Sequence, residues 1–241
     1  MFSKNSRNAL SASLCMFFAS CGGGSGDGGS NSPRFFLSTN SLDVGIVTNS
    51  GRAPDQSITG TVSNYSGALY IYITHTDNGI ESIYTTDFSG DSGTATISMQ
   101  NKTQGVYFDN IIVQACADVD CNDELPGSPQ IVDVTYHVGI AVYPSTLEFS
   151  ANAGEAPESQ TVTVYYGAEG SGNNWSSSYM YLDGAGWMDY SPYDGTASTP
   201  VDVTLDAMPI GTSAGTYNAQ IIFGANAGKT SVSLPIQYTV Y

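Results

Sequence analysis

From position 33 to the end, the chain alternates apolar with polar side chains. Val162, Val164 and Tyr166 alternate with Thr161, Thr163 and Tyr165. Val201, Val203 and Leu205 alternate with Asp202, Thr204 and Asp206, and Val232, Leu234, Ile236, Tyr238 and Val240 with Ser233, Pro235, Gln237 and Thr239. In the first half Ala95, Ile97 and Met99 alternate with Thr94, Thr96 and Ser98. A period of two sends successive side chains to opposite faces of an extended backbone, so these segments read as half-buried antiparallel strands. Apolar residues make up 41% of the chain, enough to build a core from such faces. The expected fold class is all-β.

The pattern also repeats over a longer interval. Ser41-Leu42-Asp43-Val44 matches Thr146-Leu147-Glu148-Phe149, and the run from Ala53-Pro54 matches that from Ala156-Pro157. Gly105-Val106-Tyr107 matches Gly215-Thr216-Tyr217, and Val134-Thr135-Tyr136-His137-Val138 matches Ile236-Gln237-Tyr238-Thr239-Val240. The offsets run from 102 to 110 residues, close to the length of an immunoglobulin-like sandwich of about 100 residues. Two tandem immunoglobulin-like β-sandwiches are therefore expected, over 33–139 and 140–241. Tyr107 and Tyr217 stand where such folds place a tyrosine corner.

The second half carries Tyr143-Pro144-Ser145-Thr146-Leu147-Glu148-Phe149, then Gln160-Thr161-Val162-Thr163-Val164, then Trp187-Met188-Asp189-Tyr190-Ser191-Pro192. These runs resemble the BACON family of bacterial immunoglobulin-like domains, with its P-x-x-L-x-F, Q-x-V-x-V and W-x-x-x-S-P segments. The resemblance covers about 140–241. The first half follows it more loosely, with Ile83 near the tryptophan position, and its Cys116 to Pro129 tail resembles a variant seen in tandem copies. The resemblance implies an immunoglobulin-like fold, and the family's name implies carbohydrate binding.

The N-terminus reads as an address. Lys4 and Arg7 precede an apolar stretch from Ala9 to Ser20, too short to span a bilayer and suited to a signal peptide. It ends in Phe18-Ala19-Ser20-Cys21, which resembles a bacterial lipobox. That implies a lipoprotein signal peptide over 1–20 and lipidation of Cys21. Residues 21–32 form a Gly/Ser-rich tether with no side chains to pack. Gly22 is not an aspartate, so the expected location is the outer membrane, facing the periplasm or the cell surface. Export places Cys116 and Cys121 in an oxidising compartment, where a disulfide between them is expected.

Charge and residue inventory narrow the activity. With 22 Asp and Glu against 6 Lys and Arg the formal charge is −16, and loss of residues 1–20 makes it −18. Such a body repels a phosphate backbone, so nucleic acid is not an expected partner. No G-x-S-x-G, H-E-x-x-H or phosphate-loop motif occurs, and neither histidine has an evident catalytic partner. His137 is out of phase with Val134, Tyr136 and Val138 and is expected on the solvated face. Asp118, Asp120, Asp123 and Glu124 lack the calcium-loop spacing and read as an acidic hairpin tip. No catalytic residue, no cofactor and no metal is assigned.

Aromatics remain. Tyr70 and Tyr72 alternate with Ile71 and Ile73, and Tyr179 and Tyr181 with Met180 and Leu182. If the aliphatics face the core, these four tyrosines stand on outer sheet faces, where their rings can stack on sugars. Trp187, Tyr190 and Tyr193 form a further aromatic set in which the BACON-like motif implies a core position for Trp187, and the repeat offset of about 105 makes Trp175 the counterpart of Tyr70 and the candidate core tryptophan of its sandwich. The functional expectation is a non-catalytic envelope lipoprotein serving as a spacer, adhesion or protein-interaction unit. The alternative is glycan binding through Tyr70, Tyr72, Tyr179, Tyr181 or Trp187.

Overall fold

The computed structural model describes residues 32–48, 50–89, 91–167, 174–196, 200–208, 213–225 and 230–241. The expected signal peptide, the lipid site at Cys21 and the tether as far as residue 31 lie outside the described residues. Every regular element among them is a strand. The first ten are β1 (Arg34–Leu37), β2 (Ser41–Ile46), β3 (Ser50–Gly51), β4 (Gln56–Ser63), β5 (Tyr70–His75), β6 (Ile80–Ser89), β7 (Ser92–Met99), β8 (Lys102–Thr103), β9 (Gly105–Cys116) and β10 (Gln130–Val138). Then follow β11 (Ala141–Tyr143), β12 (Leu147–Ala151), β13 (Gln160–Tyr165), β14 (Asn174–Tyr181), β15 (Met188–Ser191), β16 (Asp194–Thr196), β17 (Val201–Ala207), β18 (Gly215–Ala225) and β19 (Thr230–Val240).

The strands form four principal sheets. The first sandwich has the orders β1-β4-β7-β6 and β2-β10-β9-β5. The second has β11-β13-β17-β15 and β12-β19-β18-β14-β16. A two-stranded piece, β3-β8, completes the set. The fold is all-β and immunoglobulin-like. The chain divides into two compact units, one made of residues up to 42, 54–100 and 108–135, the other of 43–53, 101–107 and 136–241. Three of the five divisions fall inside β2, β9 and β10 and the other two between strands, whereas the sequence repeat places one boundary after residue 139.

The period-two pattern does the work expected of it. Val162 and Val203 are register partners and buried, while Asp202, Thr204 and Asp206 on the same strand as Val203 are exposed. On β19, Leu234, Ile236, Tyr238 and Val240 are buried and Ser233, Pro235 and Gln237 are exposed. Each such large side chain withdrawn from water contributes about 1.5–3 kcal/mol. Trp175 lies in this core against Phe223, ring centroids 5.6 Å apart. A Cβ on its register partner Gly195 would come within 2.9 Å of the indole, so glycine is what lets the strand pass. Both tyrosine corners are present: Tyr107 Oη–H donates to the Thr103 carbonyl at 2.8 Å, and Tyr217 Oη–H to the Ser213 carbonyl at 3.1 Å.

A disulfide joins Cys116 and Cys121. Inside its loop, Asp118 accepts hydrogen bonds from the backbone N–H of Asp120, Asn122 and Asp123. The acidic tip is thus held by its own backbone.

Candidate functional site

In the first sandwich the tyrosines face as the alternation implies. Leu69, Ile71 and Ile73 line an apolar slot with Ile58 and Val113, which leaves Tyr70 and Tyr72 on the other face of β5. The rings are half-buried, and Tyr72 donates its hydroxyl hydrogen to the Val119 carbonyl of the disulfide loop. Tyr72 therefore holds that loop against the edge strand.

In the second sandwich the phase is the reverse of the expected one. Tyr179 and Tyr181 share the face of buried Trp175, and Met180 and the following Leu182 are exposed. The aliphatics of this stretch point out because the inner face is already filled by aromatic rings. Tyr181 is half-buried: its hydroxyl donates to the Met188 carbonyl at 3.0 Å and accepts from the Met188 N–H at 3.2 Å. Trp187 is only 1% exposed, wedged between Tyr181 and Tyr238 at 5.7 Å from each, with Nε1–H donating to the Asp183 carbonyl. Its indole fills the core and has no face to offer a ligand, which corrects its place among the glycan candidates.

What the fold does assemble is a rim where β14 meets the edge strand β15. Tyr190 on β15 is buried, and two half-exposed rings lean on it. Tyr179 (52% exposed) meets it nearly perpendicular at 5.9 Å, and Tyr193 (51% exposed) meets it at 4.7 Å and 71°. Tilted and edge-to-face contacts of this kind fix ring orientation as well as burying area. Asp189, exposed, ties the group together. Its Oδ1 accepts from Tyr190 N–H at 2.9 Å and from Tyr193 Oη–H at 2.8 Å. Ser177 Oγ donates to the Tyr193 carbonyl at 2.8 Å and lies 3.1 Å from Tyr190 Oη.

The electrostatics match the geometry. Burial raises the Tyr190 phenol above its ordinary value, and the neighbouring Tyr179 and Asp189 add to that against the Ser177 hydrogen bond. Tyr193 is raised first by its hydrogen bond to Asp189 and then by partial desolvation and the same neighbours. The rim thus presents two half-exposed rings and a carboxylate, Tyr179 and Asp189 on strands that also carry the core and Tyr193 between β15 and β16. Of its members the alternation singles out Tyr179 and the aromatic set near 190 includes Tyr190 and Tyr193, while Asp189 and Ser177 carry no pattern of their own in the sequence.

The other chemically notable groups serve the backbone. Asp109, 2% exposed, accepts from Thr76 Oγ1–H and Asn78 N–H through Oδ1 and from Gly79 and Ile80 N–H through Oδ2. His137 is 4% exposed rather than solvated. Both faces of β10 are covered at its end, where Tyr136, His137 and Val138 are all buried. The imidazole lies 5.7 Å from the Tyr165 ring, and its Nε2 is 3.3 Å from Asp43 Oδ1. Among the described residues no three His, Cys, Asp or Glu side chains converge on a metal-sized position.

No family model matches the chain, and no curated protein matches it. Solved structures similar to it include the ASH/PapD-like domain 7 of human CEP192, at 13% identity over 42% of this chain and 84% of that one, TM-score 0.34. Drosophila N-cadherin EC1-4 matches at 11% identity over 88% of this chain and 51% of that one, TM-score 0.34. A Porphyromonas gingivalis protein of unknown function matches at 9% identity over 85% and 99%, TM-score 0.30. The immunoglobulin-like fold rests on the strand order and buried faces of the chain itself.

Proposed function

We propose that the chain is a non-catalytic interaction module of a bacterial envelope, anchored by lipid on Cys21 to the outer membrane. Its second sandwich binds a surface or envelope protein through the Tyr179–Tyr193 rim. The observation that carries this reading is the pair of half-exposed tyrosine rings seated on buried Tyr190. Aromatic side chains with two rotatable angles, already oriented, contribute contact area at small entropic cost. The lipobox-like Phe18-Ala19-Ser20-Cys21, the Gly/Ser tether and the resemblance of 140–241 to BACON domains support the location.

Immobilised full-length chain should retain soluble envelope proteins. Changing Tyr179→Ala and Tyr193→Ala together should lower that retention at least about tenfold, as loss of two anchoring aromatics does in other interfaces. Equal retention by the double variant would refute the rim as the binding surface. Palmitate labelling lost in Cys21→Ala would support the anchor, and labelling that persists would refute it.

Glycan binding is the second reading, favoured by a carboxylate set beside two ring faces, a pairing suited to a sugar's hydroxyl edge and apolar face. A glycan array probed with the full chain decides it; silence across plant, host and bacterial glycans removes it.

A further inference from the structure

We propose that the Tyr179–Asp189–Tyr193 rim receives a primary ammonium group, the lysine side chain of a basic protein partner. The inference rests on the reading of this rim as the binding surface and names the group it binds.

Three observations converge. Aromatic faces carry negative electrostatic potential and attract cations placed over them, and two tyrosine rings stand half-exposed here. Next, the rim has acceptors without donors. Asp189 Oδ1 is occupied by Tyr190 N–H and Tyr193 Oη–H, while Asp189 Oδ2 and the Tyr179 hydroxyl oxygen have no hydrogen-bond partner among the described residues. A primary ammonium brings three N–H donors; a quaternary ammonium brings none. Finally, the charge is unbalanced. Asp206 is the register partner of Asp189 across β15 and β17, and like charges directly opposite repel. Residues 140–241 hold nine acids and one base, Lys229. A neutral sugar hydroxyl satisfies Oδ2 but leaves this excess of negative charge in place, whereas a lysine offsets it.

The test titrates n-butylammonium, a lysine side-chain mimic, and n-butanol of matched length into the full chain at low salt, following tyrosine ring signals by NMR. Butylammonium should shift Tyr179 and Tyr193, and butanol should not. Asp189→Asn keeps the acceptor for Tyr190 N–H and removes the charge, and should weaken binding about tenfold. Tyr179→Leu keeps apolar bulk and loses the ring face, and should weaken it about fivefold. Equal shifts from butanol, or an Asp189→Asn variant that binds unchanged, would overturn the proposal. Tetramethylammonium binding more tightly than butylammonium would also overturn it and point to a quaternary headgroup. A lysine peptide should likewise bind in preference to its Nε-acetylated form. If the rim variants abolish retention of an envelope protein while excess butylammonium leaves that retention intact, the ammonium assignment falls and the rim remains the binding surface.

Discussion

A Cβ on Gly45 would lie 2.0 Å from His137 Cε1, so the glycine on β2 is the seat of the imidazole on β10. The same Cβ would meet the Gly167 carbonyl oxygen at 2.4 Å. Gly45→Ala should therefore destabilise the protein by about 2 kcal/mol or more, as overpacking against rigid neighbours does. Removing the ring as well, in Gly45→Ala/His137→Ala, should cost less than the two single changes summed, because one void accepts the other's methyl. Urea unfolding of the four proteins checks both statements.

Trp187 and Tyr179 are both aromatic candidates from the sequence, and they should separate cleanly on mutation. Trp187→Ala empties a core position and should cost about 3–5 kcal/mol. Tyr179→Ala removes a half-exposed ring and should cost about 1 kcal/mol or less. Denaturation midpoints alone distinguish the filler from the rim residue.

Alkaline pH should unfold the protein early. Burial raises the phenols of Tyr65, Tyr136, Tyr165, Tyr190 and Tyr238 above their ordinary value, with nearby Asp43 and Asp202 adding to it at Tyr165. The unfolded chain releases these protons near pH 10, while the folded chain still holds them. Stability is then present below about pH 10 and is lost as pH rises through the folded values. Absorbance titration at 295 nm should show a group of tyrosines ionising later than in guanidinium, together with loss of near-ultraviolet ellipticity.

The acid side has its own contributor. Desolvation pushes the Asp118 carboxyl up, but the backbone N–H groups of Asn122, Asp123 and Asp120 together hold it below its ordinary value. That stability is present above about pH 3.9 and is lost as pH falls through the folded value. Asp118→Asn should flatten this part of the acid limb in denaturation series run from pH 5 to pH 2.

Replacing Cys116 and Cys121 by alanine should lower stability by about 2 kcal/mol, since the closed loop is short. The effect should vanish when wild-type protein is compared with the variant under reductant.

Where both faces of a segment differ in polarity, the alternation was enough to orient it: β17 and β19 bury the residues expected of them. The Gly-x-Tyr pairs at Tyr107 and Tyr217 gave the corners, and the repeat offset pointed to Trp175 as a core tryptophan. Orientation fails where both faces are apolar. Along 179–182 aromatics alternate with aliphatics, and period two says which residues share a face without saying which face is inner. His137 fails for a related reason: a single strand's pattern carries no information about what Asp43, Gly45 and Tyr165 bring to its other side. The rim was only partly legible because Asp189 joins it by bending back to the free edge of its own strand, a choice set by hydrogen bonding rather than by alternation.

In the second sandwich, β12 runs parallel to the final strand β19, with Leu147 to Ala151 beside Ile236 to Val240. A stretching load applied between the beginning and the end of that sandwich drags these two strands past each other lengthwise. All five paired positions resist at once instead of peeling open one by one, so traction that reaches this pair of strands meets them in their most resistant geometry.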